Sequence, residues 1–231
     1  MAKEKFSFKQ FDIYHDKCAM KVGTDGVLLG AWAKGGKRIL DIGTGTGLIA
    51  MMMAQRFPEA MIDAIDIDSD ACLQARENIE KTDFRDRINI TESSLQLYSG
   101  GQYDAIVSNP PFFENSLKAP DSKRSMARHT DSLSISELMR CVAKMLTDEG
   151  VFSVVIPTQL ISRYEEEAAY NKLSVVKKCM VKTVARKAAK RCMLMIKKIK
   201  TDALQTEEHL LMNSDGSRSD WYQELTADFY L

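Results

Sequence analysis

The sequence predicts an α/β fold, a mostly parallel sheet with helices on both faces, and three observations carry that reading. Apolar runs of strand length alternate along the chain with longer runs of helical periodicity, beginning at Arg38-Ile39-Leu40-Asp41-Ile42. The first strand passes through a glycine-rich turn, Gly43-Thr44-Gly45-Thr46-Gly47, into the apolar run Leu48 to Ala54, so a helix N-terminus is aimed at whatever lies over the turn. The second strand, Met61 to Asp68, ends in acids, and ligands in such sheets lie over the carboxyl ends of the strands.

The elements follow in order. Phe6 to Tyr14 alternates apolar and polar residues with a slip at Lys9-Gln10, which predicts short strands ahead of the main sheet. Thr24 or Asp25 is placed to cap a helix carrying Val27, Leu28, Ala31 and Trp32, either an ordinary helix or a lid beside the glycine turn. Pro58 ends the glycine-turn helix, and Asp70 is placed to cap a helix from Ala71 to Lys81. Arg87 to Thr91 is a third strand with Ser93 and Ser94 at its end, and Gln102 to Ser108 is a fourth that runs into Asn109-Pro110-Pro111-Phe112. From Phe113 to Thr130 there is no periodicity, as expected of a functional lid or a disordered segment. A helix through Ile135, Leu138, Met139, Val142 and Met145 precedes a fifth strand, Val151 to Pro157. After a helix near Gln159 to Tyr170, Leu173 to Val176 and Cys192 to Ile196 read as two closing strands flanking a basic connection. The tail from Thr201, with a turn at Asp215-Gly216-Ser217, reads as a docked helix or extended segment.

Composition sets bounds. With 231 residues and 45% apolar content, the chain fits one large domain: N-terminal strands and helix over 1–35, core sheet over 36–200, docked tail over 201–231. No apolar run reaches the ~18 residues of a spanning helix, and Met1-Ala2-Lys3-Glu4-Lys5 is followed by no signal-peptide core, so a cytoplasmic, non-membrane protein is expected. The 5 cysteines form an odd set without a C-x-x-C pair, which suits free thiols better than disulfides or zinc. His15, His129 and His209 show no metal spacing, and no metal is expected. Net charge is zero, yet from Lys172 to Lys200 the chain carries eleven Lys/Arg and no Asp or Glu. That block is either a solvated face or a surface for phosphates.

Two motifs carry the chemistry. The turn has glycines as G-x-G-x-G, with Leu48 where a dinucleotide fingerprint places its third glycine, and Asp41 just before it disfavours a pyrophosphate while suiting a positive amine. Asp66, 23 positions after Gly43, can accept hydrogen bonds from a ribose diol. The turn resembles the S-adenosylmethionine (SAM) turn of class I methyltransferases; a nucleotide-binding or purely structural glycine turn is the alternative. At Asn109-Pro110-Pro111-Phe112, the Asn109 side-chain oxygen and the Pro110 carbonyl can each accept one N–H of an aromatic amine, freeing its lone pair for in-line transfer. Two prolines in succession hold those carbonyls with little freedom, and Phe112 can stack on a base swung out of its helix. Alone, the same tetrapeptide can be a rigid strand-to-loop turn.

Together, Asp41 to Gly47 and Asn109 to Phe112 resemble the amino-methyltransferase branch of class I SAM enzymes, whose acceptors are adenine N6, guanine N2 and glutamine N5. The element order is similar to their Rossmann-like, seven-stranded sheet, in which the last strand runs antiparallel. Phe8-Lys9-Gln10-Phe11 and Lys21-Val22-Gly23-Thr24-Asp25-Gly26 narrow the resemblance, over nearly the whole chain, to the bacterial tRNA1(Val) adenine-37 N6-methyltransferase family. The resemblance implies methylation of an adenine beside the anticodon of tRNA1(Val), with SAM as cofactor and S-adenosylhomocysteine as product. It places Asp41, Gly43, Gly45 and Thr24 at the amino-acid end of SAM, Asp66 at the ribose and Asn109, Pro110 and Phe112 at the acceptor. Ser93, in a pair of serines where many relatives have an acid, is the candidate at the adenine. Arg124 and Arg128 in the aperiodic stretch, with Arg186, Lys187, Lys190 and Arg191 in the basic block, are candidates for tRNA phosphates, and no obligate protein partner is evident. Competing readings are an rRNA guanine-N2 methyltransferase, which often carries an extra domain, a protein glutamine-N5 methyltransferase, where Tyr is the commoner residue after N-P-P, and a non-catalytic SAM-binding module, against which an intact Asn109 argues.

Overall fold

A computed structural model of the protein describes residues 5–18, 21–111, 133–199 and 203–231. The N-terminal alternation forms an antiparallel hairpin, Lys5–Ser7 (β1) and Asp12–Tyr14 (β2). Phe8, Phe11 and Ile13 are buried. Phe8 stacks on Tyr230 at 5.9 Å between centroids and the Lys9 N–H donates to the Phe229 carbonyl, so the two ends of the chain are joined.

Thr24–Trp32 (α1) starts after Gly23 with no side-chain cap, so neither Thr24 nor Asp25 takes the capping role expected of it. Packing holds this helix instead: every residue from Gly26 to Trp32 is buried. Gly26 and Gly30 face Leu48–Arg56 (α2), where a Cβ at Gly30 would lie 2.7 Å from Met52 Sδ. The Arg56 guanidinium donates to the Gly30 and Ala33 carbonyls at 2.9 and 2.8 Å, satisfying the end of α1 from its neighbour.

The main sheet comprises Arg38–Ile42 (β3), Met61–Asp66 (β4), Ile88–Glu92 (β5), Tyr103–Ser108 (β6), Leu146–Pro157 (β7), Ser174–Lys182 (β8), Arg191–Lys197 (β9) and Gln205–Leu210 (β10), in the order β10-β8-β9-β7-β6-β3-β4-β5. Only β9 runs against its neighbours, β7 and β8. The expected seven strands are therefore present with the last of them antiparallel, and the tail adds an eighth by pairing parallel to β8. The sequence of β10, Gln-Thr-Glu-Glu-His-Leu, has no apolar alternation; cross-strand ion pairs replace it, Lys177 to Glu207 at 2.9 Å and Lys182 to Glu208 at 2.6 Å.

One face of the sheet packs on α1, α2 and Ser69–Ile79 (α3), with Met51, Met52, Met53, Leu28 and Ile79 in the core. The other packs on Ile135–Met145 (α4) and Ile161–Tyr170 (α5) through Leu138, Met139, Val142 and Tyr164. Asp68 caps α3, accepting from the Asp70 and Ala71 N–H groups, so the cap lies two residues before the one expected. Asp220–Thr226 (α6) closes the chain.

Candidate active site

The turn between β3 and α2 puts three glycines at positive φ, Gly43 at 72°, Gly45 at 56° and Gly47 at 83°, so a side chain at any of them would strain the backbone. The N–H groups of Gly43 and Thr44 both donate to the Ile65 carbonyl, at 2.9 and 3.0 Å, fastening the turn to β4. Nothing lies within 4 Å of where a Gly43 side chain would begin, so the backbone there faces open space.

Asp41 is fully buried at the end of β3. Its Oδ2 accepts from the Thr44 hydroxyl at 2.7 Å, while Oδ1 is buried with no partner. Burial pushes the Asp41 carboxyl up to about 7, against the Thr44 bond that favours the carboxylate, and the charge of Asp66 adds to the rise. A cationic amine would supply both the missing hydrogen bond and the missing counter-charge. Thr24 stands exposed at the first position of α1, two residues before Gly26, whose Cβ position lies 3.1 Å from Leu48 at the start of α2. The N-termini of α1 and α2 thus lie near one another.

Asp66 ends β4. Its Oδ2 accepts from the Gly45 N–H at 2.8 Å and its Oδ1 from the Asp68 N–H at 3.0 Å, so the residue expected at a ribose also braces the turn. A carboxylate has about four lone-pair sites, which leaves room for a diol. Ser93 follows β5; its N–H donates to the Asp66 carbonyl at 2.9 Å and its hydroxyl to the Ser94 carbonyl at 3.0 Å. Ile67, the residue after Asp66, is 56% exposed, an apolar side chain left uncovered at the strand tip.

At the end of β6, Ser108 is buried and its Oγ donates to the Ile42 carbonyl at 2.9 Å. Ser108 is also the parallel partner of Ile42. The residues that follow, Gly43 and Asn109, therefore leave the sheet from adjacent positions, and both motifs share one edge. Asn109 is half-buried, Pro110 buried and Pro111 exposed. Phe112, Arg124 and Arg128, with the whole Phe113–Thr130 stretch, lie outside the described residues.

The basic block is not unopposed, as its sequence suggested. Lys177 and Lys182 pair with β10, Lys178 with Glu165 at 2.5 Å, Lys198 with Asp148 at 3.5 Å and Arg191 with Asp25. Arg186, Lys187 and Lys190 remain exposed on the β8–β9 connection. Cys179, Glu207 and His209 bring candidate metal-ligand atoms within 4.8 Å of one another. Glu207 is already bound by Lys177 and by Trp32 Nε1 at 3.2 Å, and His209 stacks on Trp221 at 4.3 Å, so these side chains fasten the edge strand.

Three site residues escaped the sequence reading. Ser108 is a lone hydroxyl closing an apolar strand, a signal that was readable. Ile67, an apolar residue between two acids, gave a weaker one. Asn78, buried inside α3, accepts from the Tyr14 N–H at 3.0 Å and donates to the Tyr14 and Thr46 carbonyls at 2.9 Å, tying hairpin, helix and glycine turn together. Nothing in the sequence marks it.

The family model of the methyltransferase small domain matches residues 20–180. A Parabacteroides distasonis protein named tRNA1(Val) (adenine(37)-N6)-methyltransferase is 47% identical over 100% of this chain and 99% of its own length. An Aeromonas hydrophila protein of the same name is 42% identical over 98% of this chain and 97% of its own. Among solved structures, a protein from Agrobacterium tumefaciens described as a predicted O-methyltransferase superposes with a TM-score of 0.70 at 17% identity, covering 89% of this chain and 96% of that one, a likeness of fold.

Proposed function

The chain belongs to the methyltransferase small domain family and, within it, to the tRNA1(Val) (adenine(37)-N6)-methyltransferases, and from that premise we propose that it methylates adenine N6 in tRNA with Asn109 and Pro110 as the amine acceptors. The observation that carries the reading is the Ser108–Ile42 pairing, which sets Asn109 beside the glycine turn.

Bound SAM supplies an electrophilic methyl already carried on a positive sulfur, so no metal enters the proposed reaction. Asp41 holds the ammonium end through its unpartnered Oδ1, with Thr24 beside it, and Gly43 and Gly45 let the ligand approach the backbone. Asp66 takes the ribose hydroxyls, and Ile67 with Ser93 forms the adenine surface. At the acceptor, the adenine amine is a poor nucleophile because its lone pair is delocalised into the ring. The Asn109 side-chain oxygen and the Pro110 carbonyl each accept one N–H, which directs the lone pair out of the ring plane without a strong base. Phe112 is assigned the stacking of the extruded base. Arg186 and Lys187, exposed and without an ion pair among the described residues, hold tRNA phosphates. No helix among the described residues is long and apolar enough to cross a membrane, and the proposed place of action is the cytoplasm.

Nucleoside analysis of tRNA and rRNA from a strain lacking the protein tests this directly. Loss of N6-methyladenosine from tRNA is expected. Intact N6-methyladenosine with loss of N2-methylguanosine, or loss of a methylated glutamine in a protein, contradicts it.

A further inference from the structure

The stretch that follows the N-terminal hairpin, Tyr14 to Cys18, runs beside the glycine turn, and α3 holds it there. Asn78, fully buried, accepts the Tyr14 N–H at 3.0 Å and donates to the Tyr14 and Thr46 carbonyls at 2.9 Å, so stretch and turn are joined through one amide. One helical turn earlier and on the same face, Gln74, also fully buried, accepts the Lys17 N–H at 2.9 Å, and Glu77 pairs with Lys17 Nζ. The Lys81 ammonium lies 4.0 Å from the centroid of the Tyr14 ring. The path of the stretch is thus fixed along its length.

Its consequence is the position of Cys18. The Cys18 Sγ lies 3.9 Å from the point a Gly45 Cβ would occupy, which is van der Waals contact, while nothing lies within 4 Å of the equivalent point at Gly43. A molecule held between two walls needs about 7 Å, two contacts of ~3.5 Å. That is more than separates Cys18 from this point at Gly45, so a ligand on the turn lies over Gly43 and meets Cys18 at its edge. A separate observation marks the turn as a ligand site: Asp41, fully buried at the end of the strand leading into it, keeps Oδ1 without a partner.

We propose that Cys18 is a contact residue for the cofactor, its side chain forming the wall beside the amino-acid end of SAM. The assignment rests on the SAM reading and deepens it. The role is steric, since a thiol packs as a small apolar group and any larger side chain carried by the same stretch projects into the space over the turn.

The test is alkylation of the full chain by N-ethylmaleimide, with each cysteine followed by peptide mass spectrometry. Cys72, Cys179 and Cys192 are buried and should react slowly, while Cys141, half-buried on α4, is the internal control. Saturating S-adenosylhomocysteine should slow the labelling of Cys18 at least tenfold and leave Cys141 unchanged. Independently, calorimetry should show the Kd for SAM raised at least tenfold by Cys18→Leu and far less by Cys18→Ser. Equal labelling of Cys18 with and without S-adenosylhomocysteine, or wild-type SAM affinity in folded Cys18→Leu, overturns the assignment and leaves SAM binding itself intact. Should Cys18→Leu not fold, the labelling decides; should Cys18 resist the reagent in the unliganded protein, the affinity of Cys18→Leu decides. A wild type that binds neither SAM nor S-adenosylhomocysteine overturns both readings.

Discussion

Asp41 shows how a single buried side chain bears on the proposed cofactor site. Its ordinary carboxyl value is 3.8, and in the folded chain burial lifts it to about 7. A raised acid stabilises the fold fully below the unfolded value, and that contribution drains away as pH rises from about 4 to about 7. The Asp41→Asn variant should lack this slope, which urea unfolding at pH 4, 5.5 and 7.5 would measure; an identical slope in the variant contradicts the burial account. If an ammonium meets Oδ1, SAM binding near pH 6 must also release a proton. Calorimetry in two buffers of different ionisation heat should detect it, and no release would remove the ammonium from Asp41. Asp66→Ala should weaken SAM binding by about 1.5–3 kcal/mol, the range for hydrogen bonds to a charged group. The positions of Asp41 beside the glycine turn and of Asp66 at the next strand tip were legible because both follow from the strand and turn pattern of the sequence. That Asp66 also braces Gly45 was not, since nothing in the sequence says which way a carboxylate faces.

At the level of elements, helices and strands with strong apolar periodicity were read at sight, and those held by other forces were not. The α1 helix was expected to depend on a capping side chain. Its hold comes instead from the fit of Gly26 and Gly30 against α2, so a larger residue should be costly there. Gly30→Val is expected to destabilise the protein by about 1–3 kcal/mol, the usual cost of overpacking. An unchanged urea midpoint would show that α1 is not seated as described. Strand β10 was missed because its stabilising contacts are ion pairs with Lys177 and Lys182, residues far away in the chain. The same partners explain why the basic block looked unopposed: its acids lie on α1, α5, β7 and β10 rather than among its own residues.

For the molecule as a whole, the sheet sorts charge as well as motifs, leaving the exposed cations of the β8–β9 connection near the carboxyl edge where Asn109 stands. Arg186→Glu with Lys187→Glu should raise the Kd for tRNA and lower its salt dependence while SAM binding is kept. Lys182→Gln, whose charge is already paired with Glu208, should change the Kd less than twofold. Filter binding across a salt series separates these outcomes, and equal effects from both sets would mean the ion pairs do not decide which cations are used. All of this serves one proposed arrangement, in which the Ser108–Ile42 register brings the glycine turn, proposed to hold the cofactor, beside Asn109, proposed to accept the amine. Single-turnover methyl transfer from labelled SAM to unmodified tRNA, followed by digestion to nucleosides, tests that arrangement most directly. The wild type should yield N6-methyladenosine, and Asn109→Ala should lower the rate by orders of magnitude with SAM and tRNA affinities nearly unchanged; Asn109→Ala transferring methyl at close to the wild-type rate would contradict the account.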